Sequence, residues 1–272
     1  MKEYRLVRKD KISRRASHDM IQIIAKWGKH SFSFRTDADV KRFFWSKGYD
    51  YEQLVENCCN FPEPVPLIEN IIGPTWAVSS GLKASRVDLR TGKEDLEVQG
   101  PATISMSTYW SSYETAARHL NQAIKEASYA ELQSAITDGI ACIEGYINYR
   151  AEEWNKENPD DLLLDSKKQP VNFDERVDFW IPKMTAGKKL DKSIRNWTDF
   201  KKLKLIRDNV KVHPKNSGYS ISHQELADLI NRFRCGIAGL LIQLHQLLNE
   251  RIPSIIIRGY FAPDTQVKEV EV

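Results

Sequence analysis

Cysteine, long apolar runs and glycine-rich loops are what this 272-residue chain has least of. Its four cysteines are Cys58, Cys59, Cys142 and Cys235. The adjacent pair lacks the C-x-x-C spacing that lets two thiolates share one zinc, and no second pair lies nearby. Cys142 and Cys235 fall in apolar patterns of helical period, where a thiol behaves as a small hydrophobe. All four are expected to be reduced and structural. The longest apolar stretches, such as Gly236 to Leu241, are far too short to span a bilayer. The opening from Met1 to Lys11 is basic and polar rather than an apolar leader. Neither membrane insertion nor a signal peptide is expected, and a cytoplasmic location follows by default. There is no P-loop, no G-x-G-x-x-G and no G-x-S-x-G, which excludes the common nucleotide-hydrolase and esterase signatures. His18, His30 and His119 show no metal-ligand spacing, so neither a metal nor a cofactor is expected.

What the chain does have is an ordinary globular composition, 41% hydrophobic and 28% charged, with an uneven distribution of charge. Residues 1–47 carry 13 Lys/Arg against 5 Asp/Glu, and residues 183–215 carry 11 against 3. Each segment is therefore +8, and since the chain totals +3 the remainder is −13. Two basic segments in an otherwise acidic chain point to local attraction for a polyanion.

Along the chain the texture changes near residues 100–110. Before that point Ser17 to Trp27 and Asp37 to Glu56 have helical spacing of apolar residues. Phe61 to Pro66 holds three prolines, which no helix interior or central strand tolerates. Short β-branched runs separated by turn signals, from about Thr75 to Ser107, predict a small antiparallel sheet or pair of hairpins. From Thr108 onward the chain reads as helical. Ser112 to Lys125 predicts one helix, and the S-x-x-E of Ser128–Glu131 opens another. Leu132, Ile136, Ile140, Ile143 and Ile147 then form one buried stripe ending near Lys156. Asn172 and Glu175 bracket a further start, and a loop follows from Gly187 to Asn196. A helix from about Thr198 to Lys211 would turn Phe200, Leu203, Leu205, Ile206 and Val210 inward, with Pro214 stopping it. Ser222–Glu225 is a second capping box, opening a long helix striped from Leu226 to Leu248, and Ile255 to Arg258 reads as a strand before a tail. The fold class is α+β: an all-α helical bundle over residues 108–250, preceded by a mixed α/β region with a small antiparallel sheet (residues 1–107) and followed by a strand and tail (residues 251–272).

The stretch from Lys201 to Pro214 brings an arginine and a histidine to the end of a basic helix. A spacing of six does not put two residues on one helical face. Loosening after Lys211, which Pro214 favours, would let His213 swing back toward Arg207. A histidine can remove a proton from a ribose 2′-hydroxyl or protonate a leaving 5′-oxygen. An arginine can grip the scissile phosphate and stabilise charge on its oxygens. Asp208 could orient either group, and Lys204, Lys211 and Lys215 are placed to meet a phosphate backbone. The competing reading is structural, because a histidine before a proline at a helix end often caps carbonyls. Asp138 and Glu144 lie six apart with no metal partner and read first as solvated or interhelical positions, although Glu144 could face the cleft. His223, in a capping box, and His245, in an apolar stripe, read as structural.

The run Arg207-Asp208-Asn209-Val210-Lys211-Val212-His213 resembles the signature of the HEPN superfamily (higher eukaryotes and prokaryotes nucleotide-binding domain), an Arg and polar residue followed within four to six positions by His. Its approach from Trp197 to Ile206 and the earlier helix from Ala135 to Asn148 are similar to the family's core helices, so the resemblance covers roughly residues 108–250. It implies a metal-independent endoribonuclease acting as a homodimer, whose two motifs meet in one composite cleft and leave a 2′,3′-cyclic phosphate. Arg207 and His213 would be catalytic, with Asp208 and Glu144 supporting. It also implies RNA as partner, and a toxin–antitoxin or anti-phage defence setting with an antitoxin or other defence protein. No G-S…D-x-D nucleotidyltransferase motif occurs, so any such companion would be a separate chain. Members that have lost catalysis imply the alternative, a non-catalytic module for dimerisation or for binding a partner or nucleotide. A third possibility, a nucleic-acid-binding regulator built on the basic N-terminal half, lacks any helix-turn-helix pattern.

Overall fold

The computed structural model describes residues 2–28, 34–60, 64–72, 76–78, 84–88, 94–97, 108–163, 172–209 and 221–271. In chain order the elements are β1 (Lys2–Arg8), α1 (Arg14–Ile23), α2 (Asp37–Ser46), α3 (Tyr51–Cys58) and α4 (Pro64–Ile72). Strands β2 (Trp76–Val78), β3 (Ala84–Asp88) and β4 (Glu94–Glu97) follow, then α5 (Thr108–Glu126), α6 (Tyr129–Glu157), α7 (Phe173–Glu175) and α8 (Ile181–Met184). The chain continues through α9 (Arg195–Arg207), α10 (His223–Phe233), α11 (Leu240–Leu247), α12 (Ser254–Phe261) and β5 (Thr265–Glu271). Short π-helical stretches extend α1 (Ile24–Gly28), join α7 to α8 (Arg176–Trp180) and join α10 to α11 (Arg234–Gly239). The chain divides into two compact units, Met1–Val7 with Thr108–Glu250 and Thr265–Val272, and Arg8–Ser107 with Arg251–Asp264.

The larger unit is a helical assembly organised around α6. Ser128 caps that helix, its side chain accepting from the Glu131 amide at 3.3 Å. The return half of a capping box is missing, because the Glu131 carboxylate is 2.6 Å from His119 Nδ1 on α5 instead. Leu132, Ile136, Ile140, Ile143 and Ile147 are all fully buried, as the stripe predicts. Gly139 lies beneath Phe233 and Ile237, where an added Cβ would stand 2.9 Å from the Ile237 side chain. Ser222 and Glu225 form the complete capping box of α10, and its stripe is buried from Leu226 through Leu244. β1 and β5 pair as a two-stranded sheet. Asn231 on α10 anchors β5 through both amide groups, donating to the Thr265 carbonyl and accepting from its N–H, each at 2.8 Å.

In the smaller unit α1, α2 and α3 pack around Met20, Ile24, Val40, Phe44, Leu54 and Val55. The expected helical stretch from Asp37 to Glu56 is two helices, because Gly48 takes φ +81°, a conformation glycine adopts at low cost. Asp50 then caps α3 through a 2.9 Å bond from the Glu52 amide. β2, β3 and β4 form an antiparallel sheet with Val87 opposite Ala77 and Glu94.

The proline-rich segment ends at the start of a helix, α4, with Pro64 and Pro66 in its first turn and not its interior, where the missing amide protons have no intrahelical partner to lose. Two expectations need correction. Ile255 to Arg258 is helical: α12 buries Ile256, Ile257 and Phe261 on one side, and that packing overrides β-branched propensity. The terminal strand is β5 instead. Leu205, expected to point inward, is 60% exposed, while Phe200 and Leu203 on the same helix are fully buried.

Candidate functional site

Helix α9 ends on the residues singled out by the sequence. It starts at Arg195, three residues before the expected Thr198, and its regular turns end at Arg207, with Asp208 and Asn209 in π-helical form. Its buried edge is fixed by Asp199, Phe200 and Leu203. Asp199 is 2% exposed and takes hydrogen bonds from Arg195 Nε at 3.0 Å and from Arg232 Nη1 of α10 at 2.6 Å. Gly236 presses on this part of α9, and an added Cβ there would stand 2.7 Å from the Phe200 backbone nitrogen. The rotational setting of α9, and so of Arg207, is determined by these contacts.

Arg207 is mostly buried, at 18% side-chain exposure. Its Nη1 donates to Glu144 Oε1 of α6 at 3.1 Å, and its Nε donates to Asp208 Oδ1 at 3.0 Å. Lys204, one turn earlier, donates to the other oxygen of Asp208 at 2.9 Å. The four residues form a chain of alternating charge, Lys204–Asp208–Arg207–Glu144, whose formal sum is zero. Burial alone would raise the Asp208 carboxyl, but hydrogen bonds from Lys204 and Arg207 outweigh it and hold the group below the usual carboxylate range. Asp208 is therefore anionic at neutral pH.

Of the residues expected at the site, the structure brings together Lys204, Arg207, Asp208 and Glu144. His213, Lys211 and Lys215, with Val210 and Pro214, lie outside the described residues. Glu144 was legible as a candidate because it follows Ile140 by four positions and so borders the buried stripe. Asp138 is elsewhere, 3.9 Å from His119 Nε2. His223 is the first residue of α10, and His245 is 2% exposed and stacked on Tyr146 with ring centroids 4.2 Å apart. His18 lies edge-on to Tyr51, and His30 lies outside the described residues.

Among the described residues no group of three or more His, Cys, Asp or Glu is arranged to hold a metal, and no helix is long and apolar enough to cross a membrane. The cysteines are unpaired thiols. Burial pushes Cys58 and Cys142 up to about 12 and raises Cys235, so these three are not thiolate nucleophiles at neutral pH.

What the described site can do is hold an arginine at a fixed orientation. Two carboxylates on opposite ends of the guanidinium leave N–H donors on Nη1 and Nη2 for a further oxygen. The four charges cancel among themselves, and Lys204, Arg207 and Asp208 belong to a segment, residues 183–215, that is +8 in all. Comparison with known proteins returns no match to any family model, curated sequence or solved structure.

Proposed function

We propose that the chain is a metal-independent RNA endonuclease of HEPN type, acting as a homodimer with Arg207 and His213 at the reacting phosphate. The observation that carries this reading is the anchored guanidinium: Arg207, held by Glu144 and Asp208, ends a basic helix six residues before His213. An arginine that meets a developing phosphorane is most effective when it is oriented in advance, because no reorganisation is then required as the reaction proceeds. Glu144 and Asp208 supply that orientation, and Lys204 keeps Asp208 anionic.

In the proposed step the ribose 2′-oxygen attacks the adjacent phosphorus and the P–O5′ bond breaks. The products are a 2′,3′-cyclic phosphate and a 5′-hydroxyl, with no water consumed. His213 takes the 2′-hydroxyl proton or supplies a proton to the leaving 5′-oxygen. Arg207 stabilises the charge on the non-bridging oxygens. In a composite cleft the second copy of the chain contributes the complementary imidazole. A toxin or defence role, regulated by a separate partner, is the setting this activity fits.

The test is RNA cleavage by the purified chain in EDTA, comparing wild type with Arg207→Ala and His213→Ala. Losing one oriented donor, or the general acid–base group, is expected to slow cleavage by roughly a hundredfold or more. Equal activity in all three proteins, or none in wild type over several RNA substrates, overturns the proposal. The second reading, a non-catalytic module, draws on the charge-neutral cluster and is what an inactive but dimeric wild type would support.

A further inference from the structure

Trp45, near the end of α2, is 77% exposed, an unusual position for the largest apolar side chain. It lies off the buried Val40–Phe44 face of its helix. A groove of about 780 Å³ opens on one flank of Trp45, lined also by Lys41, Arg42, Tyr49 and Tyr51. A second groove, of about 650 Å³, also borders Trp45, with Phe34, Phe43 and Asp39 in its wall. Trp45 and Arg42 line both grooves, and Asp50 lines the first. The exposed indole thus borders two grooves that hold further aromatic rings, and Arg42 is the cation common to both.

The charges on this face are not symmetrical in availability. Asp39 is committed to the α2 capping box, its Oδ2 accepting from the amides of Arg35 and Thr36 and from the Thr36 hydroxyl. Asp50 is committed to the α3 cap. Lys41 is held by Glu52 at 3.2 Å and lies 5.2 Å from the centre of the Tyr51 ring. Arg42 is 74% exposed, and its ion contact among the described residues is a 3.6 Å approach to Asp39. Lys47 stands 5.9 Å from the centre of Phe43. Capping leaves these carboxylates charged, so Lys41, Arg42 and Lys47 are matched in number by Asp39, Asp50 and Glu52, and Arg42, 74% exposed, is the cation that a phosphate seated beside Trp45 meets directly.

We infer that Trp45 and Arg42 form a binding site for single-stranded RNA, with an unpaired base stacked on the indole and its phosphate met by Arg42. Flat aromatic faces bordered by cations suit bases in single strands, where any base can stack and the backbone supplies the negative charge. Inside a duplex each base is stacked on its neighbours and presents no free face, so single strands are favoured. The choice of RNA over DNA rests on the proposed function; the stacking site itself does not.

The experiment measures binding of a fluorescein-labelled short single-stranded RNA by anisotropy. It uses full-length protein carrying His213→Ala, which removes the proposed acid–base group, and the intact length of the labelled RNA is checked after each titration. In that background Trp45→Ala is expected to weaken binding by about tenfold or more, and Trp45→Phe to retain most of it. Arg42→Ala should weaken binding and reduce the slope of log affinity against log salt by about one. Both side chains are exposed, so far-ultraviolet circular dichroism should match the parent. Affinity within twofold of the parent for both Trp45→Ala and Arg42→Ala overturns the inference. So does equal affinity for duplex RNA, or no binding of single-stranded RNA by the parent.

Discussion

Asp199 offers a way to test whether the setting of α9 depends on one buried carboxylate. It is 2% exposed, and its two oxygens are taken by Arg195 at 3.0 Å and Arg232 at 2.6 Å. Replacing Asp199 by Ala leaves those two guanidiniums without their anion. Arg195 is 67% exposed and can return to water, whereas Arg232 is 33% exposed and must give up its partner in a partly dry place. Removing one member of a fully buried pair costs about 3–5 kcal/mol, and the access of both arginines to water discounts this to roughly 2–3 kcal/mol. Spread over a unit of this size, that corresponds to a fall in melting temperature of about 4–12 °C. Asp199→Asn keeps the shape and accepts one hydrogen bond, so it should cost less than Asp199→Ala. The assay is thermal unfolding followed by circular dichroism, with a double-mutant cycle against Arg232→Ala. A coupling energy of about 1 kcal/mol or more between the two positions is expected. Melting temperatures within 2 °C of wild type for Asp199→Ala, or two substitutions that simply add, would refute the reasoning.

Other expectations follow from single contacts. Gly236→Ala forces a methyl to within 2.7 Å of the Phe200 backbone nitrogen and 2.8 Å of the Asp199 carbonyl carbon. Neither is the far end of a flexible side chain, so α9 must shift, at about 1–3 kcal/mol by chemical denaturation; an unchanged midpoint would show that α9 is not clamped there. Asp208, whose carboxyl is held below its ordinary value, stabilises the folded state at pH above the unfolded-state value of about 3.9 and loses that contribution as pH falls through the lower folded value. Asp208→Asn should therefore flatten the acid limb of a stability–pH curve below about pH 4 and leave the curve's shape above pH 6 unchanged; an unaltered acid limb would contradict the assignment. The cleavage assay on Arg207→Ala and His213→Ala and the RNA-binding assay on Trp45→Ala and Arg42→Ala complete the set.

Local signals were readable where one short-range rule decided the outcome. Ser128, Asn172 and Ser222 each start a helix because a side-chain oxygen three residues before an amide satisfies it in any context. The α6 stripe was readable because five aliphatic residues at helical spacing leave one choice of buried face. Reading failed where distant residues decided. Ile255 to Arg258 reads as strand by composition, yet Ile256 and Ile257 are buried as parts of a helix. The true last strand, Thr265–Glu271, has little apolar alternation and is held by β1 and by the side-chain amide of Asn231. Leu205 shows the same limit on α9, since Phe200 and Leu203 take the buried edge.

At the candidate site the sequence supplied the residue types, and spacing alone could not supply their pairing. Arg207 and Glu144 are 63 positions apart, and only the packing of α9 against α6 makes them neighbours. That pairing changes the expected role of the carboxylates. Asp208 and Glu144 were expected as generic support; in the structure they cancel the charge of Arg207 and Lys204 while fixing the guanidinium. The pairing holds the guanidinium in one orientation, while the segment around it, residues 183–215, remains +8. On the proposed function, Arg42 and Trp45 contribute to binding of the RNA and Arg207 to the chemical step. Binding and cleavage should then separate under mutation: Arg42→Ala and Trp45→Ala should raise KM with kcat nearly unchanged, and Arg207→Ala should lower kcat with KM nearly unchanged. A set in which all three variants lower kcat alone would show that capture and chemistry are not divided between these residues.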